Sequence, residues 1–203
     1  MAGAPPCALD TGITREVNPM HTALLLIDIQ NDYFPGGAME LAGSIEAGER
    51  AAMLLAAFRA KGLPVVHVQH VSTRPGATFF LPDTPGVGIH GCVAPLPGET
   101  VIRKHFPNSF RETPLLGHLR ERKITGLVIG GMMTHMCVDT TTRAAADLGF
   151  ECRLAHDACA TRALGFGGAT VAAADVQTAF IASLNGAFAR VQHAAELCAQ
   201  VAQ

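Results

Sequence analysis

Residues 23–29 form an apolar run broken only by Asp28. A run this short, without polar alternation, fits a strand buried on both faces, and such strands belong to parallel sheets covered by helices. The rest of the chain repeats the theme. Strands are expected at 64–71, 100–103, 126–130, 151–155 and 190–192. Helices are expected at 44–61, 113–121, 138–148 and 172–187, the first with Ile45, Met53, Leu54, Ala57 and Phe58 on its apolar spacing. Ser44 is its expected N-cap, without a capping-box acid at Ala47, and Gly62 is its stop. Strands alternating with helices predict a three-layer α/β/α sandwich around a mainly parallel central sheet.

With 203 residues, 49% of them hydrophobic, the chain suits one domain with a large core. Residues 1–20 read as a surface arm. Residues 74–99, rich in Pro and Gly and without a period, read as a lid-like loop. A net charge of -2 argues against a nucleic-acid surface or a polybasic membrane contact. No apolar run approaches the roughly 20 residues of a membrane span. The N-terminus lacks the basic and apolar regions of a secretion signal. Six cysteines without a C-x-x-C pair predict neither a disulfide framework nor a zinc site, so a cytoplasmic location is expected.

In a parallel sheet, ligands bind at the carboxyl ends of the strands. Three predicted strand ends carry reactive groups. Asp28 ends the first, Lys104 follows the third, and Cys137 follows the fourth through Gly130-Gly131-Met132-Met133-Thr134-His135-Met136. An ionisable group within an apolar run is costly to bury unless it is paired, and Lys104 is one of only three lysines. Together the three supply an acid/base, a cation and a nucleophile. Unpaired N–H groups near a helix start favour negative charge, so a lowered thiol pKa is expected at Cys137. Taken alone, this segment fits a structural thiol as well as a nucleophile. Gly130-Gly131 lacks the lysine and spacing of a phosphate loop.

The set Asp28-Ile29-Gln30-Asn31-Asp32-Tyr33, Lys104 with Ser109-Phe110, and Gly131 to Thr141 resembles the isochorismatase-like cysteine hydrolases from about Thr22 to about Asn185. The turn Met133-Thr134-His135-Met136-Cys137 is similar to that of streptothricin-hydrolase-like and N-carbamoyl amidohydrolase-like relatives. The resemblance implies the sandwich fold, a catalytic triad of Asp28, Lys104 and Cys137, and a cis Met132–Met133 bond. It also implies an oxyanion hole made by the N–H groups of Met133 and Cys137, and a homodimer or homotetramer. Nicotinamidase-type members carry an Asp-x-His metal motif after the second strand. Here that strand offers His67 and His70 with no such Asp, and three residues apart in a strand they face opposite ways. No metal and no cofactor are therefore expected, and each histidine reads as a strand residue with a local hydrogen bond.

The expected activity is cleavage of a C–N bond in a small amide, lactam or carbamoyl compound through a thioester, with that small molecule as the partner. The alternatives are an isochorismatase-type vinyl-ether hydrolase, with Arg74, Arg103 and Arg111 available for substrate carboxylates, and a redox or binding protein using Cys137 as a sensor. Pocket candidates by position are Tyr33, Phe34, His105, Phe106, Asn108, Phe110, Thr134 and His135. The three phenylalanines could equally be core fillers. Gln30 is expected to brace the first turn, Asp32 to cap a loop, and Asp157 to serve as a turn or cap residue. Cys92, Cys152, Cys159 and Cys198 read as spectators.

Overall fold

A computed structural model describes residues 21–202. The expected surface arm at 1–20 lies outside the described residues. Six parallel strands form the central sheet: β1 (Thr22–Ile27), β2 (Val65–His70), β3 (Thr100–Lys104), β4 (Gly126–Met132), β5 (Glu151–Ala160) and β8 (Arg190–Gln192). Their spatial order is β3-β2-β1-β4-β5-β8. The intervening β6 (Leu164–Phe166) and β7 (Ala169–Val171) form a separate antiparallel hairpin that the sequence reading missed. Two glycines at its tip, Gly167 and Gly168, both take positive φ.

Strand pleating splits the core in two. Leu24 and Leu26 join one buried cluster with Ala47, Ala51, Leu54, Leu55 and Phe58 of α1 (Ser44–Ala60) and Leu197 and Val201 of α5 (Ala194–Ala202). Ala23, Leu25 and Ile27 face the other cluster, with Leu115 and Leu119 of α2 (Leu115–Glu121), Ala145 of α3 (Asp139–Asp147) and Leu184 of α4 (Ala173–Leu184). Alternate residues of β1 thus bury against both helical layers, as its unbroken apolar pattern requires.

Several expected boundaries move. Ile45 and Met53 lie on the exposed side of α1, and its true stripe runs through positions 47, 51, 54, 55 and 58. Ser44 is the first helical residue rather than the cap. Gly43 takes that place in a left-handed conformation, without a side-chain cap bond. β4 continues through both glycines because Gly131 passes against β1. A Cβ there would stand 2.1 Å from the Ile27 carbonyl oxygen, and its φ is 145°. β5 is longer than expected and reaches Ala160 after a register shift opposite Ile129 and Gly131. The Ala-rich tail forms α5, whose start Asp157 caps by accepting from the Ala194 N–H (2.8 Å).

Candidate active site

Three strand ends build the site from below. β1 stops at Ile27, and Asp28 turns out of the sheet with a φ of 52° while its N–H still donates to Val68 (3.0 Å). Lys104 is the last residue of β3, in register with His70, the last residue of β2. β4 leaves through a cis Met132–Met133 bond into a π-helical turn, Thr134–Val138, which leads directly into α3. The Met133 carbonyl accepts from the N–H groups of Met136 (3.0 Å) and Val138 (3.2 Å), and the wide turn carries Cys137. The sequence reading placed a turn at 133–137 and started the helix at Val138; the structure makes the turn π-helical and starts α3 at Asp139.

The three side chains meet. Lys104 Nζ lies 2.7 Å from Asp28 Oδ2, and both side chains are fully buried. Asp28 thus faces Lys104 and Cys137, both of which interact with its carboxylate. Cys137 Sγ, an Asp28 oxygen and a His70 ring nitrogen all lie within 4.8 Å of one another. Lys104 Nζ also contacts His70 Nδ1 at 3.1 Å and donates to the Phe106 carbonyl at 3.2 Å.

Electrostatics define the resting state. Burial works against the Lys104 charge, but Asp28 and then Cys137 outweigh it and raise its pKa. Cys137 corrects the expected lowering. Burial pushes its thiol up, Asp28 adds to the rise, and Lys104 offsets only part of it, so the resting sulfur is protonated. Burial holds His70 down at about 4 against the pull of Asp28.

Cys137 opens on a cavity of about 530 Å³. Tyr33, His105 and Phe106 of the expected pocket line it. The other five expected pocket residues do not. Phe34 stacks on His90, with ring centroids 3.6 Å apart, and Phe110 stacks on Phe150. Asn108 accepts from the Phe110 N–H (2.9 Å). Thr134 is buried, its hydroxyl donating to Gln177 Oε1 (2.7 Å), and His135 bonds Thr161 (2.6 Å). Ser109 is also structural, tying the turn after Lys104 to Thr141 of α3 (2.9 Å).

Sequence reasoning missed His70 and Met136 as cavity wall; Phe79 and Phe80 belong to loop 74–99, which it read as lid-like without naming them. The only available signal for His70 was its opposition to His67 across the strand. The long loop is a tied wall. Asp32 accepts from the Phe80 N–H (2.6 Å) and the Ala38 N–H (3.2 Å), which makes it the loop cap expected. Gln30 spans the gap between β2 and the loop. Its amide donates to the His70 and Val87 carbonyls, and its oxygen accepts from the His70 N–H (2.7 Å). Gly86 packs so closely on Asp32 that a Cβ there would overlap its carboxylate.

Two groups of side chains have metal-ligand spacing among the described residues. In the first, Asp28, His70 and Cys137, the Lys104 ammonium already touches both Asp28 and His70 and would repel a second cation. In the second, His156, Asp157 and His193, Asp157 Oδ1 caps α5 and Arg50 stands 3.9 Å from Oδ2.

Residues 22–196 match the isochorismatase domain. The chain is 51% identical over 173 residues to the uncharacterised isochorismatase family protein YddQ of Bacillus subtilis, covering 85% of this chain and 96% of that protein. Streptothricin hydrolase of Streptomyces noursei is 39% identical over 139 residues, 68% of this chain and 49% of that enzyme. The crystal structure of an isochorismatase hydrolase from Oleispira antarctica superposes with a TM-score of 0.86 at 53% identity, covering 90% of this chain and 98% of that one. The chain belongs to the isochorismatase family of hydrolases.

Proposed function

We propose that the protein is a cysteine hydrolase that cleaves a C–N bond in a small amide, lactam or carbamoyl compound. The observation that carries this reading is the convergence of the buried Asp28 and Lys104 on Cys137, which lines the cavity. A protonated thiol beside a carboxylate needs one proton transfer before it can attack. Asp28 accepts the Cys137 proton as sulfur bonds to the substrate carbonyl carbon. Lys104 holds the thiolate character that develops. The N–H groups of Met133 and Cys137 are the donors for the resulting oxyanion, each worth about 3–4 kcal/mol in such sites. Collapse of the tetrahedral intermediate breaks the C–N bond, and Asp28 returns the proton to the leaving nitrogen. Water, deprotonated by Asp28, then adds to the thioester, and the thiol leaves with that proton.

A vinyl-ether hydrolase is the second reading, favoured by one observation. Arg74 lines the cavity, and Arg111 lies over the Phe106 ring at 3.6 Å, so cations stand near the mouth for a carboxylate substrate. Arg103 is turned away and donates to Gln69. The retained Cys137 weighs toward the amide. A sensor thiol has less support, because no second cysteine lines the cavity among the described residues. The test is a panel of amides, ureas and lactams assayed for ammonia or amine release beside isochorismate. Cys137→Ala is expected to reduce amide turnover to background while circular dichroism stays unchanged. Turnover retained in that variant removes Cys137 as the nucleophile.

A further inference from the structure

The neighbouring strands β5 and β8 gather a second set of reactive side chains, away from Cys137. The two strands run parallel, with Ala155 opposite Gln192. One residue further along, His156 and His193 stand side by side, their rings edge to face with centroids 4.3 Å apart. Asp157 follows His156 and in a regular strand would point to the opposite face. Here β5 is irregular. It passes from Leu154 opposite Ile129 to Cys159 opposite Gly131, so it spends more residues than β4 over the same stretch. Such a bulge re-aims side chains, and Asp157 joins the two histidines. One ligand atom from each of the three lies within 4.8 Å of the other two.

The bulge is pinned. Gln177 of α4 donates through Nε2 to the His156 and Cys159 carbonyls, 3.2 Å each. Asp157 Oδ1 accepts from the Ala194 N–H (2.8 Å), and Oδ2 stands 3.5 Å from His193 Nδ1. Ligand atoms around a tetrahedral ion with bonds of about 2.0–2.1 Å are about 3.3 Å apart, so this pair already has the spacing of two ligands on one ion. Neither imidazole ring makes a hydrogen bond among the described residues, so each neutral ring keeps a lone pair for a cation. His193 is mostly exposed, which leaves a path for entry. Two features oppose a cation, Arg50 at 3.9 Å from Oδ2 and the start of α5. Arg50 is half exposed and can turn to water, and the Asp157 carboxylate answers the helix end. Imidazole nitrogens with one carboxylate suit zinc and its transition-metal neighbours, whereas magnesium and calcium take oxygen sets. The missing Asp-x-His motif after β2 concerns a different strand.

We propose that His156, Asp157 and His193 bind one divalent ion of the zinc class through two imidazole nitrogens and Asp157 Oδ2, with water completing the shell. The ion ties the β5 bulge to the start of α5 and stabilises that edge of the fold. None of the three ligands lines the Cys137 cavity, so the site is independent of the hydrolase reading.

The probe is zinc chloride added to the chelator-treated full chain, read by calorimetric titration and by thermal unfolding. A hundredfold excess over Kd is expected to raise the wild-type midpoint by about 5–10 °C. His193→Ala, at an exposed position, weakens binding more than about tenfold and removes most of that shift. Asp157→Asn, which keeps an oxygen for the Ala194 N–H, does the same, whereas Arg50→Met tightens binding by about two- to fivefold. Cobalt(II) in place of zinc gives a d–d spectrum without the thiolate charge-transfer band that a cysteine adduct would show. Equal zinc binding by wild type and His193→Ala overturns the site, as does a wild-type midpoint that zinc leaves unmoved or a cobalt spectrum carrying the thiolate band.

Discussion

The two faces of β2 carry histidines three residues apart, and they do opposite things. On one face His67, buried, bonds Glu99 Oε2 through Nε2 (3.1 Å). Glu99 in turn takes a fork from Arg59, 2.7 Å to each oxygen, and a third bond from the Leu96 N–H (2.8 Å). Both Glu99 oxygens are satisfied, leaving His67 Nδ1 as the orphan on that side. On the other face His70 lines the cavity beside Cys137 and contacts Lys104 (3.1 Å), which pairs with the fully buried Asp28 (2.7 Å). The first arrangement ties α1 to the start of β3 and leaves nothing to do chemistry. The second sets a thiol at a cavity wall with a buried carboxylate and ammonium beside it, which is how a reactive site differs from a structural ion cluster.

The largest expected difference between the faces is in stability on losing a cation. Lys104→Met leaves a buried carboxylate alone and should cost about 3–5 kcal/mol in denaturant unfolding. Combining it with Asp28→Leu should recover most of that loss. If the double variant is as unstable as Lys104→Met, the pair is not what holds that edge. Removing Arg59 should cost much less, about 1 kcal/mol, because both it and Glu99 reach solvent.

The next contrast is in pH. Arg59, chiefly through its hydrogen bonds, holds Glu99 down at about 2, against an unfolded value of about 4.3. A depressed carboxylate contributes stability that is present above the unfolded value and lost as pH falls through the folded one. Thermal midpoints should therefore drop between about pH 4 and pH 2, and Glu99→Gln should flatten part of that slope. A slope unchanged by the substitution would remove the cluster from the acid response.

The smallest effect concerns thiols. Burial raises both Cys137 and Cys159, the latter to about 12, but only Cys137 meets the cavity. Iodoacetamide should label Cys137 faster than Cys159 or Cys152, at a rate that climbs with pH above neutrality. A rate already at its plateau at pH 6 would contradict the protonated resting thiol.

Fold class, strand order along the chain and the three reactive strand ends were legible because they depend on local pattern: short apolar runs, helical spacing, and ionisable residues where a run stops. The pocket was legible only in part. Tyr33, His105 and Phe106 lie close in sequence to reactive residues and do line it, whereas Phe34, the neighbour of Tyr33, and Phe110 stack elsewhere. Proximity along the chain says nothing of which way a ring turns after a bend.

What the sequence by itself determined is the parallel sandwich and the delivery of Asp28, Lys104 and Cys137 to one edge, since a parallel sheet puts all its strand ends on one side. Only the tertiary structure decided that His70 joins them while His67 does not, that Asp32 and Gln30 pin the long loop as a wall, and that the Cys137 thiol rests protonated. Those outcomes depend on contacts between segments tens of residues apart and on how much water each group loses. No local pattern encodes either quantity.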